Sequence, residues 1–198
     1  FIQGGKYTEK GEKTGDWQVF IGGNEKARMF FKNDPLNGNY TLFHSNLTIA
    51  VTTSFLDGKL HGEWTSFTDS KEPYEKGNFA RGQKTGKWSS LYPRLGQVEI
   101  SSNYENGLLE GEYKQYDTWG DITLSTTYSQ GQLNGTWTKY NAGDPIEKGS
   151  FVKGKRDSTW SYFEFGSSAS IQEHYDEGKR TGTWNTYHSN RRRASETT

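Results

Sequence analysis

The sequence predicts an all-β fold: an elongated, twisted antiparallel sheet of about eight tandem β-hairpin repeats with a period of about 24 residues. Three observations predict it. A Gly-x-aromatic tripeptide recurs through the chain at near-constant spacing. Short segments alternate apolar and polar residues with period two, the signature of strands. No segment carries a sustained 3.6-residue pattern, and the glycine spacing leaves no room for a long helix.

The tripeptide runs as Gly15-Asp16-Trp17, Gly38-Asn39-Tyr40, Gly62-Glu63-Trp64, Gly86-Lys87-Trp88, Gly111-Glu112-Tyr113, Gly135-Thr136-Trp137 and Gly182-Thr183-Trp184. The remaining copy, Ser158-Thr159-Trp160, carries Ser in the glycine slot. Successive aromatics lie 23, 24, 24, 25, 24, 23 and 24 residues apart. A second glycine precedes the first by four residues in most units, and an aromatic precedes that glycine by three (Phe31, Phe55, Phe79, Tyr104, Tyr128, Phe151, Tyr175). We therefore expect Trp17, Tyr40, Trp64, Trp88, Tyr113, Trp137, Trp160 and Trp184 to form the structural core of the repeat, each buried ring removing roughly 150–250 Å² from water.

Each unit reads as a hairpin. Leu47, Ile49, Val51, Thr53 and Phe55 alternate with mostly small polar residues, as do Ile122, Leu124, Thr126 and Tyr128. Asp57-Gly58 and Asn106-Gly107 are strong turn dipeptides, because glycine adopts the positive φ that tight hairpins require. Sixteen strands at roughly 4.8 Å each span on the order of 75 Å. A longer period overlies the first: residues 73–82 (PYEKGNFARG) match 145–154 (PIEKGSFVKG), and Gly5-Lys6-Tyr7 falls 72 residues earlier still. Duplication of a three-hairpin block and a three-hairpin geometric repeat both account for this. The repeat domain is expected to fill residues 1–190, with a polar, basic, disordered tail over 191–198.

Residues 74–88, YEKGNFARGQKTGKW, resemble a MORN repeat: Tyr74, Gly77, Phe79, Gly82 and Gly86 fill the family pattern, Gly77 one residue late, and Trp88 replaces its last glycine. That departure and the period resemble the variant found in bacterial proteins labelled antitoxins. The resemblance covers residues 5–188. It implies an array of successive hairpins that serves as a scaffold, a dimerisation surface or a partner groove.

Composition narrows the function. Twenty-four basic and 24 acidic residues cancel, so no long-range field draws the protein to nucleic acid or anionic lipid. With no cysteine there is no disulfide framework, thiol nucleophile or cysteine zinc site. No apolar stretch reaches the roughly 18–20 residues of a membrane span, so no membrane insertion by this segment is expected. The chain opens on Phe1, which suits a fragment or a processed product; a secreted, periplasmic or surface-anchored place is favoured over a cytoplasmic one. His44, His61, His174 and His188 show no metal-ligand spacing, and neither a nucleophile elbow nor a phosphate loop appears. We expect no catalytic, metal or cofactor site. Arg191-Arg192-Arg193-Ala194-Ser195 resembles a basophilic kinase site within the tail.

The residues that break the repeat point to a binding surface. The turns at 21–26, 44–46, 68–73, 93–97, 117–121, 141–145 and 164–169 vary in length and composition yet keep phase, so they project along one edge of the sheet. Ile21, Leu95, Trp119 and Phe165 place apolar groups at four of these tips. Such groups either contact a partner or fold back over the sheet. The expected function is a non-catalytic protein-interaction or scaffold module whose partner is another protein. An antitoxin or immunity-type inhibitor and a glycan- or cell-wall-binding repeat protein are the alternatives.

Overall fold

A computed structural model describes residues 1–164, 169–188 and 192–197. The described residues are all-β, with no helix among them. They form two compact units, one of Phe1–Val98 with Tyr104–Gly107, the other of Glu99–Asn103 with Leu108–Thr198. The division falls within β9 (Val98–Glu105), where the following strand is broken at Glu110 into β10 (Leu108–Leu109) and β11 (Gly111–Tyr116).

In the first unit β1 (Ile2–Tyr7), β2 (Lys13–Ile21), β3 (Asn24–Phe31), β4 (Leu36–Phe43), β5 (Ile49–Leu56), β6 (Lys59–Phe67), β7 (Pro73–Ala80) and β8 (Gln83–Leu91) pair antiparallel in chain order. In the second, β11 is followed by β12 (Ile122–Ser129), β13 (Gln132–Asn141), β14 (Asp144–Val152), β15 (Lys155–Phe163), β16 (Ala169–Asp176), β17 (Lys179–Tyr187) and β18 (Arg193–Thr197), again paired in order. This is the antiparallel hairpin array that the repeat predicts.

Two expectations are corrected. The tail is not disordered over 193–197: it forms β18, with Asn185 opposite Glu196 and Thr186 opposite Ser195. Pairing satisfies backbone groups that β17 would otherwise expose, and Thr186 Oγ1 lies 2.6 Å from Ser195 Oγ. Leu47 is not the first residue of an alternating strand. It sits in the turn before β5 with φ +64°.

In several units the repeated tripeptide is a bulge. Between the pairs Thr52–Thr65 and Ser54–His61, the single residue Thr53 faces Gly62, Glu63 and Trp64. Likewise Gly77 faces Gly86-Lys87-Trp88, and Gly149 faces Ser158-Thr159-Trp160. Such a bulge bends the strand and needs a left-handed residue at its start. Gly62 and Gly86 supply φ +82° and +62°, and Ser158 is forced to +60°.

In three units the large ring lies over a glycine of the preceding strand. Trp17, Trp88 and Trp160 are buried, at 4%, 3% and 0% exposure; Tyr40, Trp64, Tyr113, Trp137 and Trp184 are half-buried. The difference lies in the residue beneath. Gly5, Gly77 and Gly149 let the ring descend so far that an added Cβ would lie within 2.0, 2.1 and 2.3 Å of Trp17, Trp88 and Trp160 respectively. Trp88 Nε1 then donates to Asn78 O at 3.1 Å, and Trp160 Nε1 to Ser150 O at 3.2 Å. Trp64 and Trp137 meet Thr53 and Thr126 instead, and their buried Nε1 atoms find no acceptor. The 72-residue recurrence is thus a recurrence of packing. Its rings run edge to face as Trp64–Phe79–Trp88–Tyr104 and as Trp137–Phe151–Trp160–Tyr175, with centroids 5.1–6.3 Å apart.

Candidate functional site

Tight and variable turns alternate along the chain, so within each unit they lie at opposite strand ends. The tight ones are two-residue turns with both residues left-handed, such as Asp57-Gly58 and Arg81-Gly82 (φ +49°, +76°; +51°, +87°). Three of the variable turns are five-residue loops of one design: His44–Thr48, Thr68–Glu72 and Asp117–Asp121. The first amide donates to the fifth carbonyl at 2.8–2.9 Å, and the fourth amide to the first carbonyl at 3.0–3.1 Å. The fourth residue is left-handed. Gly120 fills that slot in the third loop, but Leu47 and Lys71 (φ +64° and +72°) fill it in the first two.

Side chains brace these loops. His44 Nε2 donates to Phe67 O at 2.9 Å, and Asn46 Nδ2 donates to Asp69 O at 2.9 Å. The Thr48 hydroxyl lies 2.7 Å from Asn46 Oδ1 and 3.1 Å from Asp69 O. Together they tie the 44–48 loop to the 68–72 loop. In the second unit Asp117 Oδ1 accepts from the amides of Trp119 (2.9 Å) and Asp121 (3.0 Å), fixing the loop that holds the indole.

At the variable turns apolar side chains face outward. Trp119 is 83% exposed, and Ile21 and Leu95 are also exposed. They do not fold back over the sheet. Phe165 lies outside the described residues. Ile21 and Leu95 flank turns six strand steps apart in the first unit, about 29 Å at 4.8 Å per step, so they do not form one patch. Between them are apolar residues that the sequence reading missed: Leu47 (54% exposed), Ile49 and Tyr74. Leu47, Ile49, Phe67 and Lys71 line a hollow of about 450 Å³ with Asn46 and Thr48. A signal for it existed. Alignment on Phe43 and Phe67 sets Leu47 in the slot of Lys71, a turn position and not a strand position.

A second cluster lies on the ring-bearing face of the second unit. Arg156 donates to Glu147 Oε1 (3.0 Å) and to the Tyr162 hydroxyl (2.7 Å), Tyr162 and Tyr175 donate to Glu173 Oε2 (3.1 and 2.8 Å), and Arg180 pairs with Glu173. Burial pushes the Tyr162 phenol up to about 12, against the opposing pull of Arg156 and with help from Glu173. The Arg156 guanidinium lies 3.9 Å from the Trp160 ring centroid and that of Arg180 lies 4.6 Å from the Trp184 centroid. Lys84 covers Trp88 in the same way at 3.8 Å. These cations cap the indoles and occupy the faces on which a sugar ring would stack.

The histidines take structural places. Besides His44, His174 Nδ1 lies 2.9 Å from Thr159 Oγ1, and the His61 carbonyl accepts from Ser54 within the β5–β6 ladder, not in a turn. Among the described residues no group of three His, Cys, Asp or Glu side chains is placed to hold a metal ion, and no helix is long and apolar enough to cross a membrane. Neither protein-family models nor curated proteins match this chain.

Proposed function

We propose that this protein is a non-catalytic protein-interaction module that presents a rigid repeat sheet with variable turns along one edge. One observation carries the reading: large apolar side chains stand exposed on loops that internal hydrogen bonds hold in place. Trp119 is 83% exposed while its own amide is bound by Asp117. Rigid, exposed aromatic groups lose little entropy on binding and bury much area, which is the hot-spot character of interfaces. The resemblance to MORN repeats, whose arrays act as scaffolds and partner grooves, points the same way. The capped indoles argue against sugar stacking on Trp88, Trp160 and Trp184.

The test compares the parent chain with Trp119→Ser as immobilised bait, with a titration against each captured protein. The melting temperature should stay nearly unchanged, since the side chain touches little of its own fold. Capture should weaken by about 2 kcal/mol or more. A large fall in stability with undiminished binding would return Trp119 to the fold and reject this edge as the contact surface.

A further inference from the structure

We propose that Trp119 of one copy of this chain seats in the hollow formed by Leu47, Ile49, Phe67 and Lys71 of a second copy. The proposal rests on the reading of the variable-turn edge as a contact surface, and it names the partner. The indole is 83% exposed, so its own chain leaves it uncovered. The hollow, of about 450 Å³, falls in the range of roughly 300–1,000 Å³ typical of pockets that enclose a small molecule, and three of its lining side chains are apolar. Both parts are braced: Asp117 fixes the knob, and the contacts of His44, Asn46 and Thr48 fix the two loops that make the hollow.

Leu47 is the telling residue. It takes a left-handed turn slot that glycine fills at Gly120 and also at Gly11, in a loop of the same design, and it exposes an apolar side chain there. Each feature is unfavourable for the isolated chain. A ligand that covers Leu47 takes its apolar side chain out of water. Charge selects the partner. Lys71 is the charged residue of the lining, and Asp117 and Asp121 flank Trp119 two residues away on either side. An indole between two carboxylates meets an apolar hollow with an ammonium group at its rim. Knob and hollow are different surfaces of the same chain, so every copy carries both halves of the contact.

Sedimentation velocity on the full chain, from low micromolar to submillimolar concentration, tests this. The mean mass of the parent should rise with concentration. Trp119→Ser and Leu47→Gly should each weaken association at least about tenfold, the loss of an interface anchor. Glycine suits φ +64°, so Leu47→Gly should melt no lower than the parent and its loss of association cannot be put down to misfolding. A mixture decides the geometry: Trp119→Ser keeps the hollow and Leu47→Gly keeps the knob, so together they should form one-to-one dimers and stop there. A parent that stays monomeric throughout, or a mixture that forms no dimer, overturns the proposal. If Trp119→Ser still loses capture of a foreign protein while the parent is monomeric, self-association falls and the edge reading stands. If Trp119→Ser changes neither, both fall.

Discussion

The indole of Trp160 lies so close upon Gly149 that a methyl group added at the glycine would come within 2.3 Å of Cδ2 and Cε2. No positive φ holds Gly149 to glycine; the ring above it does. Gly149→Ala should therefore act as overpacking and lower stability by about 1–3 kcal/mol. Trp160→Ala should cost about 3–5 kcal/mol. The double variant should lose clearly less than the sum, since the clash vanishes with the ring. Urea unfolding of the four proteins measures this, and full additivity would contradict the contact.

The indole nitrogens separate two kinds of hairpin. Trp160 Nε1 is bonded to Ser150 O, whereas buried Trp137 Nε1 has no acceptor. Trp160→Phe should thus lose a hydrogen bond and strand a carbonyl, costing about 1–3 kcal/mol for the polar part alone. Trp137→Phe removes a group already unpaired and should cost less. Equal melting temperatures for the two variants would refute the distinction.

Ser158 stands in the one copy of the repeated tripeptide that lacks its glycine, at φ +60°. Ser158→Gly should relieve the left-handed conformation and raise stability by up to about 1 kcal/mol. The reverse change at an equivalent site, Gly86→Ser, should lower it by a similar amount. Denaturant midpoints with unchanged slopes are the readout.

Tyr162 sets a pH dependence. Its phenol is raised from 10.0 to about 12 in the folded chain. Below pH 10 folded and unfolded chains both hold the proton, and the contribution is fully present. Between about pH 10 and 12 the unfolded chain releases the proton first, so stability falls as pH rises through this window. Tyr162→Phe should fall less steeply there. Thermal melts across that range, with ultraviolet titration of the phenol, check the sign.

Much of the fold was legible because its determinants are local and repeated. Strand alternation, paired left-handed turns and the Gly-x-aromatic phase each rest on a few adjacent residues. Trp119, Ile21 and Leu95 could be picked out because they break a pattern. Leu47 was misread because alternation of apolar and polar residues continues through the turn. Only the count back to Phe43 separates the two readings.

The polar cluster of Arg156, Tyr162, Glu173 and Arg180 was not legible. Its members are spread over two strand pairs, and only registration brings them together. The β18 strand escaped for a related reason. A short polar segment has little strand propensity of its own, and the backbone groups of β17 supplied the partner.

The sequence by itself determined that this protein is a train of antiparallel hairpins, where most of them turn, and which rings recur in phase, because those features follow from backbone sterics and period. Tertiary structure alone decided which rings are buried. Gly5, Gly77 and Gly149 admit Trp17, Trp88 and Trp160 fully, and Thr53 and Thr126 hold Trp64 and Trp137 higher. Depth depends on the residue met across the strand pair, and cross-strand register is set by bulges that period alone does not reveal. The hollow at Leu47 was decided in the same way, by hydrogen bonds between two loops more than twenty residues apart.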